Sequence, residues 1–79
     1  MRYTRFHGLD DSVDFEILGE VSLICKVTAL GRELNSLTSQ LVLTGEQVFE
    51  LLEEFKLTSY AEKNQVQPHN SYAVTAFDW

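Results

Sequence analysis

Two histidines, one cysteine and twelve acidic side chains are the groups in this chain best suited to chemistry. Cys25 is the sole thiol, and in EVSLICKVTAL it alternates with Leu23 and Val27 onto the apolar side of the segment. A reactive thiolate needs exposure and a nearby positive charge. Lys26 falls on the opposite side, so Cys25 is expected in the core. Ser, His and Asp occur in no arrangement that pairs a nucleophile with a base. The dispersed glycines form neither GxGxxG nor GxxxxGK(S/T), so no phosphate-cradling loop is visible. His7, Asp10, Asp11 and Asp14 crowd together and His69 could join them, a minimal zinc set. The spacings that specify metal sites are missing: there is no CxxC or HExxH, and DDSVD lacks the glycine and terminal glutamate of a calcium loop. These residues point to no catalytic group, no metal and no cofactor, and so to a chain that is not an enzyme.

The carboxylates do have a pattern. In TGEQVFELLEEF, Val48, Leu51, Leu52 and Phe55 recur at helical spacing, and Glu46, Glu50, Glu53 and Glu54 lie opposite that stripe. With a rise of about 1.5 Å per residue, Glu46 and Glu50 stand about 6 Å apart along the axis. Asp10, Asp11 and Asp14, with Glu16 and Glu20, make a second acidic group near the first strand. Carboxylates arrayed on a rigid scaffold can imitate a phosphate backbone and occupy a basic groove on a protein. Glutamate is also a good helix former, and the same row serves equally as the wetted side of a helix.

A formal net charge of −6 disfavours direct nucleic-acid binding and an anionic membrane surface, and favours a partner with a basic surface. RYTRF interleaves Arg2 and Arg5 with Tyr3 and Phe6, as base stacking would require, but two arginines in an acidic chain suit an edge strand better. A single cysteine cannot close an internal disulfide, no apolar run approaches the ~20 residues that span a bilayer, and MRYTRFHGLDD lacks the apolar stretch of a secretion signal. A reducing cytoplasm is the expected location.

Seventy-nine residues suffice for a single domain, 1–79. SVDFEIL alternates with period two and reads as a half-buried strand. LGE is a tight turn with Gly19 free to take positive φ. EVSLICKVTAL reads as a second, more central strand, Gly31 as a reversal, and NSLTSQLVLT as a third strand through Leu37, Leu41 and Leu43. Thr44 and Gln47 form a capping box that opens the acidic helix, which should end near Lys56 before Leu57 falls among the glutamates. SYAE is a weaker capping box for a short helix, QPHN is a turn, and SYAVTAFDW is a returning strand. The expected fold is α+β: a three-strand antiparallel meander plus the C-terminal strand, with one amphipathic helix on one face and RYTRF as an additional edge strand. Scarce core volume favours inward packing of Phe77, and of Trp79 with it by alternation; with Tyr72, Val74 and Ala76 inward instead, the two aromatics would form an exposed patch of the kind enriched at interfaces.

The function these features suggest is a small acidic protein-binding domain, a stoichiometric inhibitor or modulator such as a phage or mobile element directs at nucleic-acid-handling machinery. Glu46, Glu50, Glu53 and Glu54 are the expected partner contacts, with Asp10, Asp11 and Asp14 second. The alternative is a homo-oligomer, a homodimer in its simplest form, that binds or converts a small molecule at the subunit interface.

Overall fold

A computed structural model of the chain describes residues 2–10, 13–34 and 40–78. The elements run β1 (Arg2–Gly8), β2 (Asp14–Leu18), α1 (Val21–Leu34), β3 (Gln40–Thr44), α2 (Gly45–Glu54), α3 (Thr58–Lys63) and β4 (Ser71–Asp78). The class is α+β, a four-stranded antiparallel sheet in the order β2-β1-β4-β3 with helices on one face. The expectations at Leu37 and Trp79 lie outside the described residues.

Alternation decides the two faces. Thr4 and Phe6 of β1, Phe15 and Ile17 of β2, Leu41 and Leu43 of β3, and Tyr72 and Val74 of β4 are all buried. Their neighbours Tyr3, Arg5 and His7, Asp14, Glu16 and Leu18, and Val42 occupy the other face, where they are exposed or half-buried. Leu23 and Val27 of α1 and Val48, Leu51 and Leu52 of α2 close the core over the first set. Removing each such side chain from water stabilises the fold by about 1.5–3 kcal/mol.

The segment expected as a second strand is α1. Both periods bury Leu23 and Val27, so the segment is ambiguous at those positions. Ile24 and Leu30 break the tie, because a helix brings them to the same side as Leu23 and Val27 and a strand does not. Val21, Cys25 and Ala29, which a strand would bury, are exposed. Gly31 consequently sits within a helix and makes no reversal. With α1 between them, β2 and β3 cannot form a meander and take opposite edges of the sheet. β1, expected at an edge, is central and pairs with both β2 and β4.

α2 begins and ends as its residues dictate. The Gln47 N–H donates to Thr44 Oγ1 at 3.3 Å and the Thr44 N–H donates to Gln47 Oε1 at 2.9 Å. At the other end Leu57 N–H donates to Leu52 O and Lys56 N–H to Glu53 O, with Lys56 in the left-handed region at φ 59°. That is a Schellman termination with lysine where glycine is commoner. The short helix α3 is present, but Leu57 precedes it without a side-chain cap and Ser59 lies inside it. Gly45 is required by close approach: a Cβ there would run into the Gln67 carbonyl.

Candidate functional site

All four helix glutamates, Glu46, Glu50, Glu53 and Glu54, are exposed along the outer side of α2. Among the described residues only Glu54 is paired, its carboxylate 3.7 Å from Lys26 Nζ on α1. A shallow cleft of about 210 Å³ lies beside this row, with Leu30, Leu43 and Leu51 lining it below Lys26, Glu50 and Glu54. The arrangement is an apolar depression whose rim carries Glu50, Gln47 and the Lys26–Glu54 pair.

The second acidic group does not join the first. Asp14 belongs to the uncovered face of the sheet, the layer opposite α2, and its carboxylate is held by Arg5 across the β1–β2 pair. Arg5 Nε donates to Oδ1 at 3.0 Å and Nη2 to Oδ2 at 2.6 Å, a two-pronged charge-assisted contact. The Arg5 hydrogen bond is the largest influence on the Asp14 carboxyl; it outweighs the opposing effect of burial and, with the Arg5 charge, holds the group below the usual carboxylate range. The same pairing raises the Arg5 guanidinium. Both side chains are nearly half exposed, so the pair contributes little to stability. Asp10 is exposed in the turn after β1, and Asp11 lies outside the described residues.

Among the described residues no helix covers the opposite face of the sheet, which joins residues that the sequence singles out separately, in RYTRF and at Phe77. Register places Leu18, Tyr3 and Phe77 in one row, Glu16, Arg5 and Thr75 in the next, and Asp14, His7, Ala73 and Val42 in the third. Tyr3 and Phe77 stack with centroids 4.9 Å apart. Phe77 therefore belongs to this face and not to the core, because Tyr72 and Val74 take the inward positions of β4. A depression of about 280 Å³ is lined by Arg5, His7, Thr75 and Phe77. His7 Nδ1 stands 3.8 Å from Asp14 Oδ2, too far for a hydrogen bond. The signal for this face was present in RYTRFHG, whose odd positions Tyr3, Arg5 and His7 alternate with Thr4, Phe6 and Gly8.

Cys25, expected in the core, is exposed on α1, since a helix turns residue 25 away from the side that carries residues 23, 24 and 27. Among the described residues no group of three or more His, Cys, Asp or Glu side chains is placed to hold a metal ion, and no helix is long and apolar enough to cross a membrane. Compared with known proteins, the chain matches no family model, and no curated protein or solved structure is significantly similar to it.

Proposed function

We propose that this chain is a non-enzymatic protein-binding domain that modulates a partner with a basic surface in the cytoplasm, with α2 as its contact. The observation that carries this is the row Glu46, Glu50 and Glu53, three exposed carboxylates without an ion pair among the described residues, beside an apolar cleft. Charge in the rim steers a basic partner and excludes acidic ones, and the Leu30, Leu43 and Leu51 depression supplies the apolar contact that charge alone does not. A stoichiometric inhibitor of nucleic-acid-handling machinery, of the kind phages and mobile elements encode, is the activity that a phosphate-like row of carboxylates suits. Replacing Glu46, Glu50, Glu53 and Glu54 by glutamine tests it. The expected outcome is an unchanged far-ultraviolet spectrum and loss of the partners captured by the parent chain from its native cell; undiminished capture would overturn the proposal.

A second reading rests on the uncovered sheet face. Stacked Tyr3 and Phe77 beside the Arg5, His7 and Thr75 depression form a half-apolar surface that a second copy would enclose, making a small-molecule site between subunits. Light scattering decides this: a concentration-independent monomer excludes it.

A further inference from the structure

The backbone ladder between β1 and β2 shows which polar groups of β2 are already used. Gly8 N–H donates to Val13 O and Gly19 N–H donates to Arg2 O at 2.8 Å. Both pairs share the register that matches Phe6 with Phe15 and Thr4 with Ile17. Directly opposed residues in an antiparallel pair alternate between bonded and non-bonded. Phe15 and Ile17 therefore turn their N–H and C=O groups toward β1. Asp14, Glu16 and Leu18 turn theirs toward the outer side of the sheet, where β2 is the edge.

The opposite edge, β3, has the same five residues but offers fewer of them to a further strand. Gly45 N–H donates to Asn70 O at 2.8 Å, which puts Leu43 and Leu41 in bonded pairs and leaves Gln40, Val42 and Thr44 facing out. The Thr44 N–H is already taken by Gln47 Oε1, so the capping box closes that end. β2 thus offers three residues with both backbone groups turned outward, and β3 offers two.

Side chains at the β2 edge select what can pair there. Glu16 is exposed on the open face and has no ion pair among the described residues, whereas Asp14 is neutralised by Arg5. Leu18 beside it is 61% exposed. On the helix side the edge ends in Phe15 and Ile17, with the Tyr60 ring of α3 centred 6.5 Å from that of Phe15. A second copy of β2 would bring acidic side chains together, which opposes self-pairing.

We propose that β2 accepts an extended segment of a partner protein as a fifth strand, with lysine or arginine opposite Glu16 and apolar side chains alternating onto the helix side, where Tyr60 is half-buried over the core residues Phe15 and Ile17. Backbone bonds from Asp14, Glu16 and Leu18 supply affinity, and the alternation of charged and apolar positions supplies selectivity, as in strand addition generally. This surface belongs to the sheet and does not depend on α2.

The probe is an end-blocked hexapeptide of alternating lysine and valine, followed by fluorescence anisotropy and by amide hydrogen exchange. The amides of Asp14, Glu16 and Leu18 exchange quickly in the free chain and slow when the peptide binds, while those of Phe15 and Ile17 are slow throughout. An alternating glutamate–valine peptide does not bind, and N-methylation of alternate amides in the lysine peptide abolishes the slowing. Glu16→Gln, an exposed change checked for an unaltered melting curve, weakens binding by up to about fivefold. Absence of binding at about 1 mM peptide, or binding that leaves those three amides unprotected, overturns strand addition. Binding indifferent to N-methylation and mapped to Glu46, Glu50, Glu53 and Glu54 also overturns it, while leaving the role proposed for α2 intact.

Discussion

Strand β1 carries two cross-strand aromatic pairs of nearly the same geometry in opposite surroundings. Phe6 stacks on Phe15 with centroids 4.8 Å apart and planes 8° from parallel; Tyr3 stacks on Phe77 at 4.9 Å and 24°. Phe6 is fully buried beneath the helices, whereas Tyr3 and Phe77 are half-buried on the uncovered face. Ring contact contributes about 0.5–1.5 kcal/mol in either place. Removing a whole phenylalanine from water contributes about 1.5–3 kcal/mol, and only one pair gains it in full. The packed face holds the fold together, and the open face leaves apolar and charged groups available to something else.

Substitutions should separate the two faces. Phe6→Ala is the largest: it removes a fully buried ring and should cost about 3–5 kcal/mol in a urea titration, close to the whole stability of a domain this small. Tyr72→Phe keeps a fully buried ring but deprives the Gln67 N–H of the hydroxyl oxygen that it reaches at 2.8 Å. The same titration should show a loss of about 2 kcal/mol. Phe77→Ala on the open face should cost about 1 kcal/mol, and a loss equal to that of Phe6→Ala would break the comparison. Thr4→Val should raise stability by about 1 kcal/mol, because the Thr4 hydroxyl is buried on the packed face with no hydrogen-bond partner among the described residues and a methyl of the same shape is not penalised there.

The smallest effect concerns Asp14 and pH. Its carboxyl is held below its ordinary value by Arg5, so the folded form gains stability above the unfolded carboxylate pKa of about 3.9. That gain is lost as pH falls through the lower folded value. Asp14→Asn should flatten the acid limb of a thermal-melt series below about pH 4 while leaving neutral-pH stability little changed. An unchanged acid limb would show that the Arg5 contact is not held in solution.

The elements were unequally legible. α2 could be read almost to the residue, because Thr44 and Gln47 cap it locally and Val48, Leu51 and Leu52 repeat at one period only. The alternation of β2 was equally plain, and β4 was legible as a strand but not in its facing, since the expectation put Phe77 inward where Tyr72 and Val74 are. α1 was not: β-branched Val21, Ile24, Val27 and Thr28 favour a strand, and Leu23 with Val27 satisfies both periods. Its threonine is accommodated by donating back to the Ile24 carbonyl at 2.8 Å. That single misassignment carried Cys25 into the core and put β2 and β3 side by side. Of the acidic residues, those on α2 are exposed as expected, while Asp14 is engaged by Arg5 on the far layer.

The sequence by itself determined the local features: a capped acidic helix with one greasy side, a left-handed turn at Gly19 with φ 77°, strands of alternating character, and a surplus of negative charge. These follow from interactions within a few residues, where side-chain type sets backbone preference directly. The tertiary structure alone decided that β1 is central, that one face of the sheet is left uncovered, that Arg5 meets Asp14, and that β2 turns the backbones of Asp14, Glu16 and Leu18 outward. Each of these depends on which strand pairs with which and in what register. Strand pairing joins backbone groups that are alike in every residue but proline, so the choice of partner is made by the shared core and not by any short stretch of chain.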